Sequence, residues 1–204
     1  MKVQQNLLVV ALGLSLSACS LSSVKVPNAN TYVLTDVASQ SSISPVTKPH
    51  GALTVMPVVA SRGFDSTAMM YQTTPYQLTA FSQNSWAAPP ANMITPLMLK
   101  SLQQSQLFNA VIAGPTMNNT QYGLSTTLLA LYQDFTVKPS QIVLSLDLSV
   151  GNNQSNQVIA DRIITVRVNA NQETPYAGVI AANAALSQAL EDSVQFVSAA
   201  VSGS

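Results

Sequence analysis

The groups on which chemistry could be built are few. The 204-residue chain holds one thiol, Cys19, and one imidazole, His50. A nucleophilic triad needs a histidine held between a hydroxyl and a carboxylate. His50 lies in ASQSSISPVTKPHG (38–51), whose serines and prolines read as a loop, a poor mount for aligned catalysis. A zinc site needs three or four Cys, His or carboxylate ligands, and one histidine with one cysteine falls short of that. Asp134, Asp147 and Asp161 fall on neighbouring strand-like segments, and Glu191-Asp192 on the polar side of a helix. Carboxylates in such places are ordinary solvated groups. No GxxxxGK[ST] phosphate loop occurs, so nucleotide hydrolysis has no seat in this chain. The residues therefore read as non-enzymatic: no catalytic residue, no metal ligands and no cofactor.

Cys19 offers chemistry of another kind. Met1-Lys2 forms a short positive start, and LLVVALGLSL (7–16) is an apolar run followed by Ser17-Ala18-Cys19. That pattern is a secretory signal peptide. Ten helical residues reach about 15 Å, half of the roughly 30 Å hydrocarbon core, so the run is too short to span a bilayer. Leu16-Ser17-Ala18-Cys19 resembles the bacterial lipobox, in which cleavage leaves the cysteine first and lipidated. Residues 1–18 then form the signal peptide, 19–30 the lipidated N-terminus and tether, and 31–204 one domain. With its only thiol acylated, that domain has no disulfide and relies on its core. Acyl chains such as palmitate contribute about 0.8 kcal/mol per buried methylene, and several chains make a durable anchor. The resemblance implies Ser20 as second mature residue. The lack of Asp there implies the outer membrane, with the domain on the periplasmic face.

Charge is scarce throughout. Eight basic and eight acidic residues cancel, and 8% of the chain is charged against about 25% in a typical soluble domain. There is no basic stripe to neutralise phosphates, which argues against a nucleic-acid partner. The run from Ser66 to Leu99 holds no charged residue, yet carries Tyr71, Tyr76, Phe81 and Trp86 at intervals of five. That interval matches neither a helix nor a strand and reads as coincidence. Aromatic side chains in an uncharged setting are enriched at interface cores, so Tyr71, Tyr76 and Trp86 are candidate contacts for a partner or a lipid. Their alternative is to pack the hairpin and loop against the first helix.

The elements that must carry these residues alternate along the chain. Tyr32-Val33-Leu34 and ALTVMPVVA (52–60) have strand composition, with Pro57 favouring an edge or a strand end. AMMYQ and YQLTAFS pair across a turn at Thr73-Thr74-Pro75, leading to a loop with Trp86. Pro89-Pro90 opens a helix lined by Ile94, Leu97, Met98, Ser101 and Leu102, in which Pro96 predicts a kink or a late start. A strand begins near Phe108. Tyr122, Leu124, Thr126 and Leu128, then Ile142, Leu144, Leu146, Leu148 and Val150, alternate as an antiparallel meander completed by QVIADRIITVRVNA. Pro175 opens a final helix in which Val179, Leu186, Leu190, Val194, Val197 and Val201 form one stripe. The fold class is α+β: a mainly antiparallel sheet, made of the C-terminal three-strand meander plus N-terminal strands, with two helices packed on one face.

Together these pieces resemble the ABC-type transport auxiliary lipoproteins, companions of transport systems built around mammalian-cell-entry (MCE) domains. The resemblance rests on the lipobox, TYVL (31–34), LTVMPVVASRGFDSTAMMYQ (53–72) and FSQNSWAAPPANMITPLMLKSLQQSQLF (81–108), and the passage from Tyr71 to Pro89 is its most specific part. It implies a lipid-anchored auxiliary subunit that assists phospholipid or lipid transport, with an MCE-domain protein of an ABC complex as partner. Lipid as a ligand and a second copy of the chain are further partners to test. A pilotin-like assembly lipoprotein without a transport role is the other reading. The family pattern often has Arg and an acid where this chain has Gln72 and Ala88, so the resemblance does not extend to a salt-bridged contact there.

Overall fold

A computed structural model describes residues 29–35, 49–115 and 120–203. Cys19 and the signal and tether segments before residue 29 lie outside the described residues, as do 36–48 and most of the loop after Gly114. Among the described residues the strands are β1 (Asn30–Tyr32), β2 (His50–Val55), β3 (Val59–Ala60), β4 (Ala68–Thr74), β5 (Gln77–Trp86), β6 (Phe108–Ala113), β7 (Tyr122–Asp134), β8 (Gln141–Asn152) and β9 (Gln157–Asn169). The helices are α1 (Pro90–Gln104) and α2 (Pro175–Ser202).

One long strand, β7, organises the sheet. Its one edge pairs antiparallel with β8, which pairs antiparallel with β9, giving the expected meander. Its other edge receives three short parallel strands in chain order: β2 beside Tyr122–Leu124, β3 beside Thr127 and Leu128, and β4 beside Tyr132–Asp134. Pro57 lies in the gap between β2 and β3, where its missing N–H costs the ladder nothing. β6 adds beyond β2, and β5 and then β1 add beyond β4. The long pairings are thus antiparallel, while short parallel ones attach most of the N-terminal pieces.

The alternation in the meander decides which face is covered. Ile142, Leu144, Leu146, Leu148 and Val150 are all buried, as are Tyr122, Leu124, Thr126 and Leu128. A bulge at Leu129 then shifts the phase, so that Leu131 and Gln133 continue the buried row. α2 lies over β8 and β9, while α1 lies against β6, β3 and α2. Their buried side chains join those of the sheet in one cluster. On the opposite face Ser125, Ile163 and Thr165 are exposed.

Both helices start as their prolines require. Thr174 caps α2, its Oγ1 accepting from Ala177 N at 3.2 Å, with Pro175 in the first turn. α1 begins at Pro90, so Pro96 does not delay its start, and it stays helical to Gln104. Pro96 and Asn92, whose carbonyl loses its helical donor, are both exposed, so the lost bond faces water.

The N-terminus of α2 is fastened to the sheet by a polar knot. Gln133 is 2% exposed, and its Nε2 donates to Ser140 Oγ at 3.0 Å and to Thr174 O at 3.3 Å. Ser140 N donates to the Glu173 carboxylate at 2.8 Å. Gly178 lies directly on the Gln133 amide, and a Cβ there would run into Gln133 Oε1. Alanine favours a helix interior by about 1 kcal/mol over glycine. Overpacking a fixed, buried neighbour costs about 1–3 kcal/mol, so the clash wins. Gly178→Ala is expected to lower the urea midpoint, against the helix scale, and an unchanged or higher midpoint would contradict the close approach.

Candidate functional site

The centre of the uncharged passage folds into one hairpin, β4–β5. The turn lies at Pro75-Tyr76, one residue later than expected, with Thr74 opposite Gln77. A register shift then sets Tyr71 opposite Thr79, which makes Phe81 its diagonal neighbour on the same face. The Tyr71 and Phe81 rings stack at 4.4 Å between centroids, and Phe135, following β7, meets both edge-on at 6.0 and 6.3 Å. Tyr71 is half-buried in this cluster.

Tyr76 stands apart from that packing. Its side chain is 103% exposed, and its backbone has φ 68°. Pro at the first central position and positive φ at the second is the pattern of a type II turn, which normally takes Gly or Asn there. A left-handed conformation costs a residue with a Cβ about 1–2 kcal/mol. A fully exposed aromatic is therefore held in a backbone state that it disfavours, at the tip of a hairpin. Leu78, beside it on β5, is also exposed.

Trp86 belongs to the core, so its reading as a contact residue is corrected. It is 4% exposed and is the last residue of β5 rather than part of a loop. Two non-local pairings hold it there. β1 runs parallel to the end of β5, setting Tyr32 opposite Trp86, and Trp86 N donates to Thr67 O at 2.8 Å. The indole lines a small internal space of about 10 Å³ with Met69, Phe81, Leu131, Gln133 and Gly178. Of the three candidates, the structure places one at a tip, one in an aromatic cluster and one in the core.

The groups considered for chemistry are dispersed. His50 is the first residue of β2 rather than a loop residue, because its pairing opposite Phe108 extends the strand, and its ring lies 6.1 Å from Phe108 and 6.5 Å from Tyr122. Asp134 Oδ1 accepts from Thr136 N at 2.9 Å and Thr136 Oγ1 at 2.6 Å, which closes its own turn. Asp147 and Asp161 sit near one another, opposite Ile163 and Ser149, while Asp134 lies at the other end of β8 opposite Gln141. Among the described residues no group of three or more His, Cys, Asp or Glu could hold a metal ion.

A second feature went unread in the sequence. Between β1 with its following residues and the first turns of α2 runs a groove of about 480 Å³, with Tyr32 and Val33 on one wall and Tyr176 and Ile180 on the other. Ile180 lies on a different side of α2 from the buried stripe. It is visible only as one more apolar residue in an apolar helix, so periodicity gave no signal for it.

Comparisons with known proteins agree with this architecture. Protein XCC0632 from Xanthomonas campestris, of the DUF330 family, superposes with a TM-score of 0.72 at 20% identity, over 85% of this chain and 98% of that one. An uncharacterized protein superposes with a TM-score of 0.65 at 16% identity, over 83% of this chain and 99% of that one. Both likenesses speak to the fold alone. No relative matches among curated proteins. The family model described as ABC-type transport auxiliary lipoprotein component matches residues 32–194, from the groove-lining Tyr32 through the hairpin and meander to Val194 of α2. The chain belongs to the family of ABC-type transport auxiliary lipoprotein components.

Proposed function

We propose that the chain is a non-enzymatic subunit anchored by acylated Cys19 to the outer membrane, on its periplasmic face. There it assists an MCE-type ABC system in moving phospholipid or another lipid across the envelope. ATP hydrolysis belongs to another subunit, and the contribution of this one is contact. The observation that carries the reading is Tyr76. Strain kept at an exposed aromatic points to a use outside the fold, and the hairpin presents that ring in a passage without charge, suited to the apolar centre of an interface.

Exchange of Tyr76 for glycine separates contact from folding by sign. Glycine accepts positive φ without steric cost, which offsets its larger entropy loss on folding. The melting temperature of Tyr76→Gly is therefore expected to stay level or rise. Association with the MCE-domain protein, measured by pull-down or titration, is expected to weaken at least about tenfold, as for an anchor residue. Undiminished binding would remove the hairpin tip from the interface. Failure of the wild-type chain to bind any MCE subunit would favour the pilotin-like assembly role instead.

A further inference from the structure

The groove beside α2 has three properties that together select an occupant. The first is its lack of charge. Its walls are Tyr32, Val33, Tyr176, Val179 and Ile180, rimmed by threonine and asparagine. Val33 is 50% exposed, Ile180 48% and Tyr176 60%, although large aliphatic groups are normally withdrawn from water.

The second is that the groove's one side-chain amide, Asn183, is already engaged. Asn183 Oδ1 accepts from Thr35 N at 2.7 Å and from Thr35 Oγ1 at 3.4 Å. Its Nδ2 donates to Val33 O at 3.3 Å and to Val179 O at 3.0 Å. The amide is thus spent on strapping the chain after β1 to α2, and offers an incoming peptide no backbone-like partner. An occupant that asks for no hydrogen bonds from this strap fits best.

The third is position. The described chain starts at residue 29, two residues before the groove-lining Thr31, and Cys19 lies twelve residues before Thr31. Twelve residues span at most about 40 Å. An anchor at Cys19 therefore keeps the groove within that distance of the bilayer. The tyrosine rings, 6.0 Å apart, carry an apolar body and a polar tip, the build of side chains that settle at a membrane interface.

We propose that this groove is the membrane-facing surface of the domain. It lies on the interface of the phospholipid bilayer that holds the Cys19 anchor, with Val33 and Ile180 entering the acyl boundary and Tyr32 and Tyr176 level with the headgroups. The inference rests on the reading of Cys19 as the acylated residue. The anchor's own acyl chain is the weaker occupant. Every methylene drawn out of the bilayer loses its full transfer free energy, and a half-open groove returns only part of it.

The test places a tryptophan reporter at the groove. The mature acylated Ile180→Trp chain is reconstituted into vesicles of phosphatidylethanolamine and phosphatidylglycerol, with and without bromine on the acyl chains. Wild-type Trp86 is buried and supplies a constant background. The added emission is expected to shift to shorter wavelength, to be quenched severalfold by brominated lipid, and to keep both properties at high salt, because the surface carries no charge. Val33→Trp, on the other wall, is expected to repeat the result. Ile163→Trp, on the open face of the sheet, is expected to stay at long wavelength and unquenched. An unquenched reporter at both groove positions in vesicle-bound protein would overturn the proposal, as would a shift that appears only on adding another envelope protein. Mass spectrometry of the N-terminus reads acylation separately. An unmodified Cys19 removes the anchor and this proposal together, whereas an acylated chain with unquenched reporters removes the groove alone.

Discussion

Trp86→Ala is expected to lower the free energy of unfolding by about 3–5 kcal/mol, the range for truncating a large buried aromatic. A domain of this kind is stable by about 5–15 kcal/mol in total, so the variant is expected to be partly unfolded or to melt far below the wild type. The indole is 4% exposed and joins regions distant in sequence: Met69 of β4, Leu131 of β7 and Gly178 of α2 line the same small space. Those neighbours sit on paired strands and a fastened helix end and cannot collapse into the void, which places the cost high in the range. The measurement is a chemical denaturation curve, with the slope compared to show that the denatured state is unchanged. A loss under about 1 kcal/mol would return Trp86 to the surface. A pull-down on the same variant is expected to fall only with its folded fraction, whereas Tyr76→Gly is expected to lose binding and stay folded. The two ends of β5 thus separate stability from contact.

What was legible in the sequence was whatever depends on neighbours along the chain. The meander alternates because one face of each strand is buried, and residues 141–150 carry that pattern openly. The stripe of α2 and the proline starts of both helices follow from spacing and from single residues. Pairings between distant segments were not legible. Nothing near Trp86 announces that Asn30–Tyr32 will add a parallel strand to the end of β5, and without that partner SQNSW reads as a loop. The stack of Tyr71 on Phe81 is instructive in the same way: the two are diagonal neighbours across β4 and β5, a contact that exists only once the hairpin closes. His50 shows the limit from the other side: serines and prolines around it signal a loop, and a parallel partner, Phe108, places the residue in a strand. Of the candidate site, the passage was legible, but the division of labour among its rings required the fold.

The second large effect is expected at Leu190. The side chain is 4% exposed in the middle of α2, on the stripe that runs from Val179 to Val201 and packs over β8 and β9. Ala182, Ala185 and Ala189 of the same helix are wholly buried, which lets the helix lie close to the sheet, and Leu186 and Val194, one turn to either side of Leu190, are themselves packed in the core. The facing leucines of β8 are fixed by a ladder on both sides. Leu190→Ala is therefore expected to cost about 2–5 kcal/mol, toward the upper end, because the cavity persists rather than relaxes. Gln188→Ala, two residues earlier and exposed, is expected to stay within about 0.5 kcal/mol of the wild type. Leu190→Met keeps the volume and is expected to recover most of the loss, which distinguishes a packing cost from damage to the helix itself. A small effect at Leu190 with a larger one at Gln188 would mean that α2 turns its other face to the sheet. The groove at Tyr176 and Ile180 would then point into the protein rather than toward a membrane.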